Sequence, residues 1–119
     1  MSNLNMQLAV PGPNIESYAK TVRAIPMLDV EDERELAKRS NTANDIDAAR
    51  TLVISHLRFV MHIANTYRGY GLSQADLIQE GNIGLMEAVK NFDPFRGVRF
   101  PSYAVWWIKA YIVRFIIAN

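Results

Sequence analysis

The chain has no cysteine. This excludes a disulfide framework and any thiolate-held zinc, and it fits a reducing compartment. A membrane-length apolar run is also missing. Arg99, Lys109 and Arg114 interrupt the richest stretch, which falls short of the ~20 uncharged residues a spanning helix needs. No charged segment followed by an apolar one stands at the N-terminus, so no secretory signal is read and a cytoplasmic protein is expected. Catalytic signatures are absent as well. The two histidines, His56 and His62, lie six apart. On one helix they diverge by about 120°, and no HExxH pattern accompanies them. Asp76 and Glu80 share a helix face, but their motif supplies no third ligand, and such a pair is far more often a solvated acidic surface than a metal site. There is no GxSxG, Walker loop or dinucleotide fingerprint. The expectation is a non-enzyme with neither metal nor cofactor.

What is present fits one domain: 119 residues, half of them hydrophobic and 21% charged, enough to bury a core of ordinary density. The net charge of +1 conceals a gradient. Residues 1–49 hold five basic and eight acidic side chains, and residues 50–119 hold eight basic and four acidic. Beyond Asp93 come Arg96, Arg99, Lys109 and Arg114 with no carboxylate among them. A basic end on a nearly neutral chain is either a solvated helix end or an oriented footprint for nucleic acid.

Helical periodicity dominates. Pro11-Gly12-Pro13 cannot continue a helix, so residues 1–13 read as a flexible arm. Asn14 can cap a short helix reaching about Ala24, stopped ahead of Pro26. Asp29 can cap a second, with Glu31, Asp32 and Glu33 at its positive N-terminal end and the polar stretch from Ser40 to Asn44 ending it. From Asp45, the apolar positions Ile46, Ala49, Val53, Leu57, Val60, Ala64 and Tyr67 recur at helical spacing. They predict one long amphipathic helix ending at Gly69 and Gly71. Ser73 and Asp76 form a capping-box-like start to another helix, lined by Leu77, Ile78, Ile83, Leu85, Met86 and Val89 and ending at Asn91. Gly81 and Gly84 sit inside it, each costing roughly 1 kcal/mol against alanine, which suggests a close neighbour. Phe92 to Gly97 has turn chemistry, and a last helix begins near Pro101 and runs on to the end of the sequence. No segment alternates with period two, so the reading is all-α.

Phe100, Tyr103, Trp106 and Trp107 fall within eight residues, with Arg99, Lys109 and Arg114 around them. On a helix, Tyr103, Trp107, Ala110 and Arg114 share one face, and Ala104, Ile108, Tyr111 and Phe115 form an adjacent apolar face suited to the core. Neighbouring tryptophans point about 100° apart, so one buried stripe cannot easily hold both. The cluster is either core or a stacking platform of the kind single-stranded nucleic acid uses, with cations following the phosphates.

The runs from Asp76 to Met86 and from Arg99 to Lys109 resemble, nearly literally, the second conserved region of bacterial RNA polymerase sigma factors. Pro26 to Leu28 and the acidic helix after them resemble the preceding region, numbered 1.2. Leu52 to Val60 and Tyr70 to Asp76 are similar to the heat-shock type. The resemblance covers about residues 15–119. It implies an arm (1–13), region 1.2-like helices (14–44) and a compact multi-helix region 2 (45–119) that would dock on core polymerase and open promoters. Asp76, Gln79, Glu80, Asn82 and Met86 would dock on the clamp helices of the largest polymerase subunit. Phe100 and Tyr103 would receive the flipped adenine at the second position of the minus-ten element, with Trp106 and Trp107 as a wedge at the upstream edge of the bubble. Arg96, Arg99, Lys109 and Arg114 would contact phosphates, and His56 with Arg58 would complete the surface for downstream non-template bases. Chaperones or proteases are regulators that such a resemblance admits.

There are departures. Ala110 and Val113 replace the glutamine and threonine with which housekeeping members read the first base pair, which implies a different promoter preference. Pro101 stands where serine is commoner, and His56 where asparagine is frequent. The sequence stops at Asn119, inside the promoter-reading helix. The resemblance therefore leaves two readings, a piece of a longer factor or a truncated homologue. A second functional reading is a docking module that competes for the clamp helices without opening DNA.

Overall fold

The computed structural model describes residues 14–119, so the expected arm at 1–13 lies outside the described residues. Six helices follow in order: α1 (Ile15–Arg23), α2 (Val30–Thr42), α3 (Ile46–Ile54), α4 (Leu57–Asn65), α5 (Gln74–Asn91) and α6 (Phe100–Ala118), with no strand among the described residues. The all-α expectation holds.

The chain spells out four of the helix starts. Asn14, Asp29, Asp45 and Ser73 each accept, through the side chain, the amide three residues on, at 3.0, 2.8, 3.0 and 3.1 Å. Each satisfies one of the donors a helix leaves orphaned at its N-terminus. The first turn of α2 also carries Glu31, Asp32 and Glu33 against the positive end of the helix.

The long helix expected from Asp45 is broken into α3 and α4 at Ser55 and His56. Here side chains compete with the backbone for carbonyls. Ser55 Oγ donates to the Thr51 carbonyl at 2.8 Å, and His56 Nδ1–H donates to the Leu52 carbonyl at 2.8 Å. The His56 amide turns instead to the Val53 carbonyl at 3.0 Å, a tighter turn than an α-helix makes. A hydrophobic period survives such a break, which is why periodicity did not show it.

Helices α5 and α6 pack closest, and the two glycines make that possible. A Cβ at Gly84 would lie 2.5 Å from the Trp107 carbonyl oxygen, and one at Gly81 would lie 3.2 Å from Ile112 Cδ1 of α6 and 2.7 Å from Val60 Cγ1 of α4. Against this groove α6 presents Phe100, Ala104, Ile108 and Ile112, all fully buried. Tyr111 and Phe115, expected in the core, are only half-buried, because the seam follows a strict four-residue step. Ile83, expected to line the core, is 39% exposed on the outer side of α5.

Candidate nucleic-acid and polymerase surfaces

The start of α6 is held by α2, by the break between α3 and α4, and by the segment that follows α5. Glu33 of α2, only 4% exposed, accepts from Arg99 Nε at 3.1 Å and from an Arg99 terminal nitrogen at 2.8 Å. The same carboxylate accepts the Phe100 amide at 2.9 Å, serving as the cap that Arg99, at the N-cap position, does not provide. Below it, the Phe100 ring packs edge-on against His56 at 4.9 Å and Phe92 at 5.2 Å, and Tyr103 leans on Phe92 at 5.4 Å.

Two cavities flank this start. One, of about 390 Å³, is lined by Phe92, Asp93, Arg96, Ser102, Tyr103 and Trp106, among others. The other, of about 320 Å³, is lined by Met27, His56, Arg58, Phe59, His62 and Arg99, among others. The break at Ser55 turns both histidines toward this second cavity, although on one uninterrupted helix they would diverge. Arg96 is fastened by Asp93 at 3.3 Å, and Asp93 also accepts the Phe95 amide at 3.0 Å. Arg58 reaches across to the Ile25 carbonyl at 3.1 Å, tying α4 to the segment after α1.

The ionisable groups at the second cavity are shifted. Burial pushes Glu33 up, but the Arg99 and Phe100 hydrogen bonds and the nearby Arg99 and His56 charges outweigh it, leaving its carboxyl below the usual range. Burial holds His56 below its ordinary value, against the opposing pull of the Leu52 bond and the Glu33 charge. The Glu33 contact raises Arg99 above its ordinary value.

Some of the expected contact residues are exposed and others are interior. Trp106 is 72% exposed, Lys109 and Arg114 are exposed, and Trp107 and Tyr103 are half-buried. Asp76 and Gln79 are exposed on the outer face of α5, with Glu80 and Met86 half-buried beside them. Three residues are interior groups. Asn82 is buried, its amide donating to the Tyr18 hydroxyl at 3.3 Å to join α5 to α1. Phe100 is fully buried because it begins the inner row of α6, and His56 is 92% enclosed by Phe100 and its own Leu52 bond. The expectation that Asn82 and Phe100 are exposed contact residues is thus corrected: both side chains are buried in this structure.

Sequence reasoning missed Glu33 and Ile83. Glu33 had a signal, since it lies four residues before buried Ala37 and three before half-buried Leu36, on the inner side of α2. Ile83 had none, because its neighbours Ile78 and Leu85 carry the same hydrophobic label.

Comparison with known proteins gives the class. The Sigma-70 region 2 family profile matches residues 52–118, and the chain belongs to the sigma-70 family. Within that family it is similar to the RNA polymerase sigma factor RpoH of Rhizobium radiobacter, at 50% identity over 105 residues. The match covers 88% of this chain and 35% of the relative, so the chain spans about a third of that protein's length. Among the described residues no helix is long and apolar enough to cross a membrane, and no cluster of three potential metal-ligating residues occurs.

Proposed function

We propose that the chain is the part of a heat-shock-type sigma factor that docks on core RNA polymerase and opens the minus-ten promoter element in transcription initiation. The observation that carries the reading is the pair of cavities at the start of α6, one walled by Tyr103 and Trp106, the other by His56, Arg58 and Arg99. Each is walled by rings and cations, which suits an unstacked base and its phosphate. Extruding a base costs a few kcal/mol, and stacking at ~1–3 kcal/mol per base with phosphate contacts offsets it. No bond is made or broken in this step, so binding energy alone drives strand opening.

In this reading Tyr103 receives the flipped adenine over the buried Phe100–Phe92 pair, and Trp106 and Trp107 form the upstream wedge. His56 and Arg58 line the site of a downstream non-template base. Arg96, Arg99, Lys109 and Arg114 follow phosphates, giving an affinity that falls with salt. The outer face of α5, with Asp76, Gln79, Glu80, Ile83 and Met86, docks on the polymerase clamp helices, held in place from inside by Asn82. Residues 14–44 act as the region 1.2-like brace, and 45–119 as region 2.

The test is fluorescence anisotropy of a labelled non-template minus-ten oligonucleotide, titrated with this chain plus a saturating clamp-helix fragment. Sequence-dependent binding that needs the clamp fragment is expected. Clamp binding with no DNA signal would show a docking module that competes without opening DNA.

A further inference from the structure

The two cavities at the start of α6 share no lining residue, but a third, narrow cleft of about 30 Å³ joins them. It has Phe92 and Val98 in common with the cavity at Tyr103, and Glu33 and Arg99 in common with the cavity at His56. A strand with one base in the first cavity and a later base in the second therefore crosses this cleft. The cleft has room for about one water, so a base crossing it stays on the surface. Val30, Arg34 and Lys38 stand there at four-residue steps on one flank of α2. Asn41, one turn on, ties the flank to the loop before α6 by donating to the Phe92 carbonyl at 3.0 Å. Lys38 Nζ lies 5.7 Å from the centre of the Phe95 ring, which is 66% exposed, and Val30 and Val98 are exposed beside the cleft. Among the described residues neither Arg34 nor Lys38 takes part in an ion pair.

We propose that Phe95 is a stacking platform for one nucleotide of the opened strand between the two cavities, with Lys38 and Arg34 on its phosphates. The inference rests on the reading of the cavities as base sites and deepens it by a third station. Extruding a base strips its neighbours on the same strand of a stacking partner. Trp106 and Trp107 replace that partner upstream, and no ring assigned so far replaces it downstream. Phe95 stands on the downstream side, because the cleft leads from the first cavity to the second. A ring bordered by cations accepts any base, so this station adds affinity without sequence preference. Single-stranded DNA is favoured as the occupant because the patch is continuous with both base sites and its two cations suit a polyanion.

The experiment uses core polymerase carrying the 119-residue chain and a single-stranded non-template minus-ten oligonucleotide. Each base in turn is removed, leaving an abasic sugar. At one position downstream of the flipped adenine, removal is expected to weaken binding about tenfold with the parent chain and to change nothing with Phe95→Ala. Each comparison is between oligonucleotides on one protein, so a general loss of fold would weaken all of them alike. Phe95→Tyr keeps a ring and should behave as the parent. Lys38→Gln should lower the slope of log affinity against log salt by about 0.7, the value for one phosphate of a single strand. The same pattern of abasic losses with parent and Phe95→Ala, with DNA still bound, overturns the stacking platform alone. Failure of the parent to bind any DNA overturns both this inference and the function it rests on. Weaker binding of Phe95→Ala to the clamp-helix fragment without DNA means that protein covers the ring, and overturns the stacking platform as well.

Discussion

Glu33 grips Arg99 with both carboxylate oxygens, across 66 positions of sequence, and the oxygen facing Arg99 Nε also takes the Phe100 amide. One side chain of α2 thus fixes where α6 begins. The Arg99 side chain is about half exposed, so the ion pair itself contributes little. The larger part is the buried Phe100 amide, which has no cap from its own segment. Glu33→Ala is expected to cost about 2 kcal/mol, the penalty of a buried donor left unsatisfied. Glu33→Gln keeps an acceptor oxygen and should cost less. Urea denaturation midpoints of the two variants check the order.

Acid should loosen the same corner in two stages. His56 and Glu33 both have folded-state pKa values below their ordinary 6.5 and 4.5. For each, the unfolded chain binds protons more readily, so the stability it contributes is present above the ordinary value and is lost as pH falls toward the folded one. Melting temperature is expected to decline first below about pH 6.5, from His56, and again below about pH 4.5, from Glu33. His56→Asn should flatten the first decline only, and a melting curve against pH for the two proteins decides it.

Gly84→Ala should be severe although alanine is the better helix former by about 1 kcal/mol. Its Cβ would meet the Trp107 backbone oxygen at 2.5 Å, and a backbone cannot rotate away. Separating α5 from α6 is expected to cost about 3 kcal/mol net. A variant as stable as the parent by calorimetry would contradict the close approach.

The two tryptophans should part company. Trp106 is mostly exposed, so Trp106→Ala should change stability by less than about 0.5 kcal/mol while abolishing strand opening. Trp107 is half-buried against the core, and Trp107→Ala should cost about 2 kcal/mol. Permanganate reactivity of promoter thymines reports opening, and thermal melts report the fold.

Glu80→Lys should weaken docking by at least tenfold while leaving the fold intact, since Glu80 is half-buried beside exposed Asp76 and Gln79 on the outer face of α5. An unchanged dissociation constant for the clamp-helix fragment would remove α5 from the proposed docking face.

The helices were legible because their starts are chemical and local. Asn14, Asp29, Asp45 and Ser73 each cap within three residues, so nothing distant is needed to recognise them. The near-literal runs Asp76 to Met86 and Arg99 to Lys109 carried the family, which the region 2 match then showed. The break at Ser55 was not legible, because side chains taking carbonyls leave the hydrophobic period untouched. The inward turn of Asn82 was hidden for a related reason: its partner Tyr18 lies 64 positions away.

By itself, the sequence determined the all-α class, the helix starts, the basic carboxylate-free end and the family, all properties of local chemistry or of contiguous residues. Only the tertiary structure decided which ring faces water, which carboxylate is buried and which histidines share a cavity. Trp106 and Trp107 are equally hydrophobic and adjacent, and only the approach of Gly84 to the Trp107 backbone separates their roles. Glu33 is one acid among four in α2, and only the packing of α2 over the start of α6 sets it apart. Such assignments depend on what lies across a helix–helix contact, and the order of residues along one helix does not contain that.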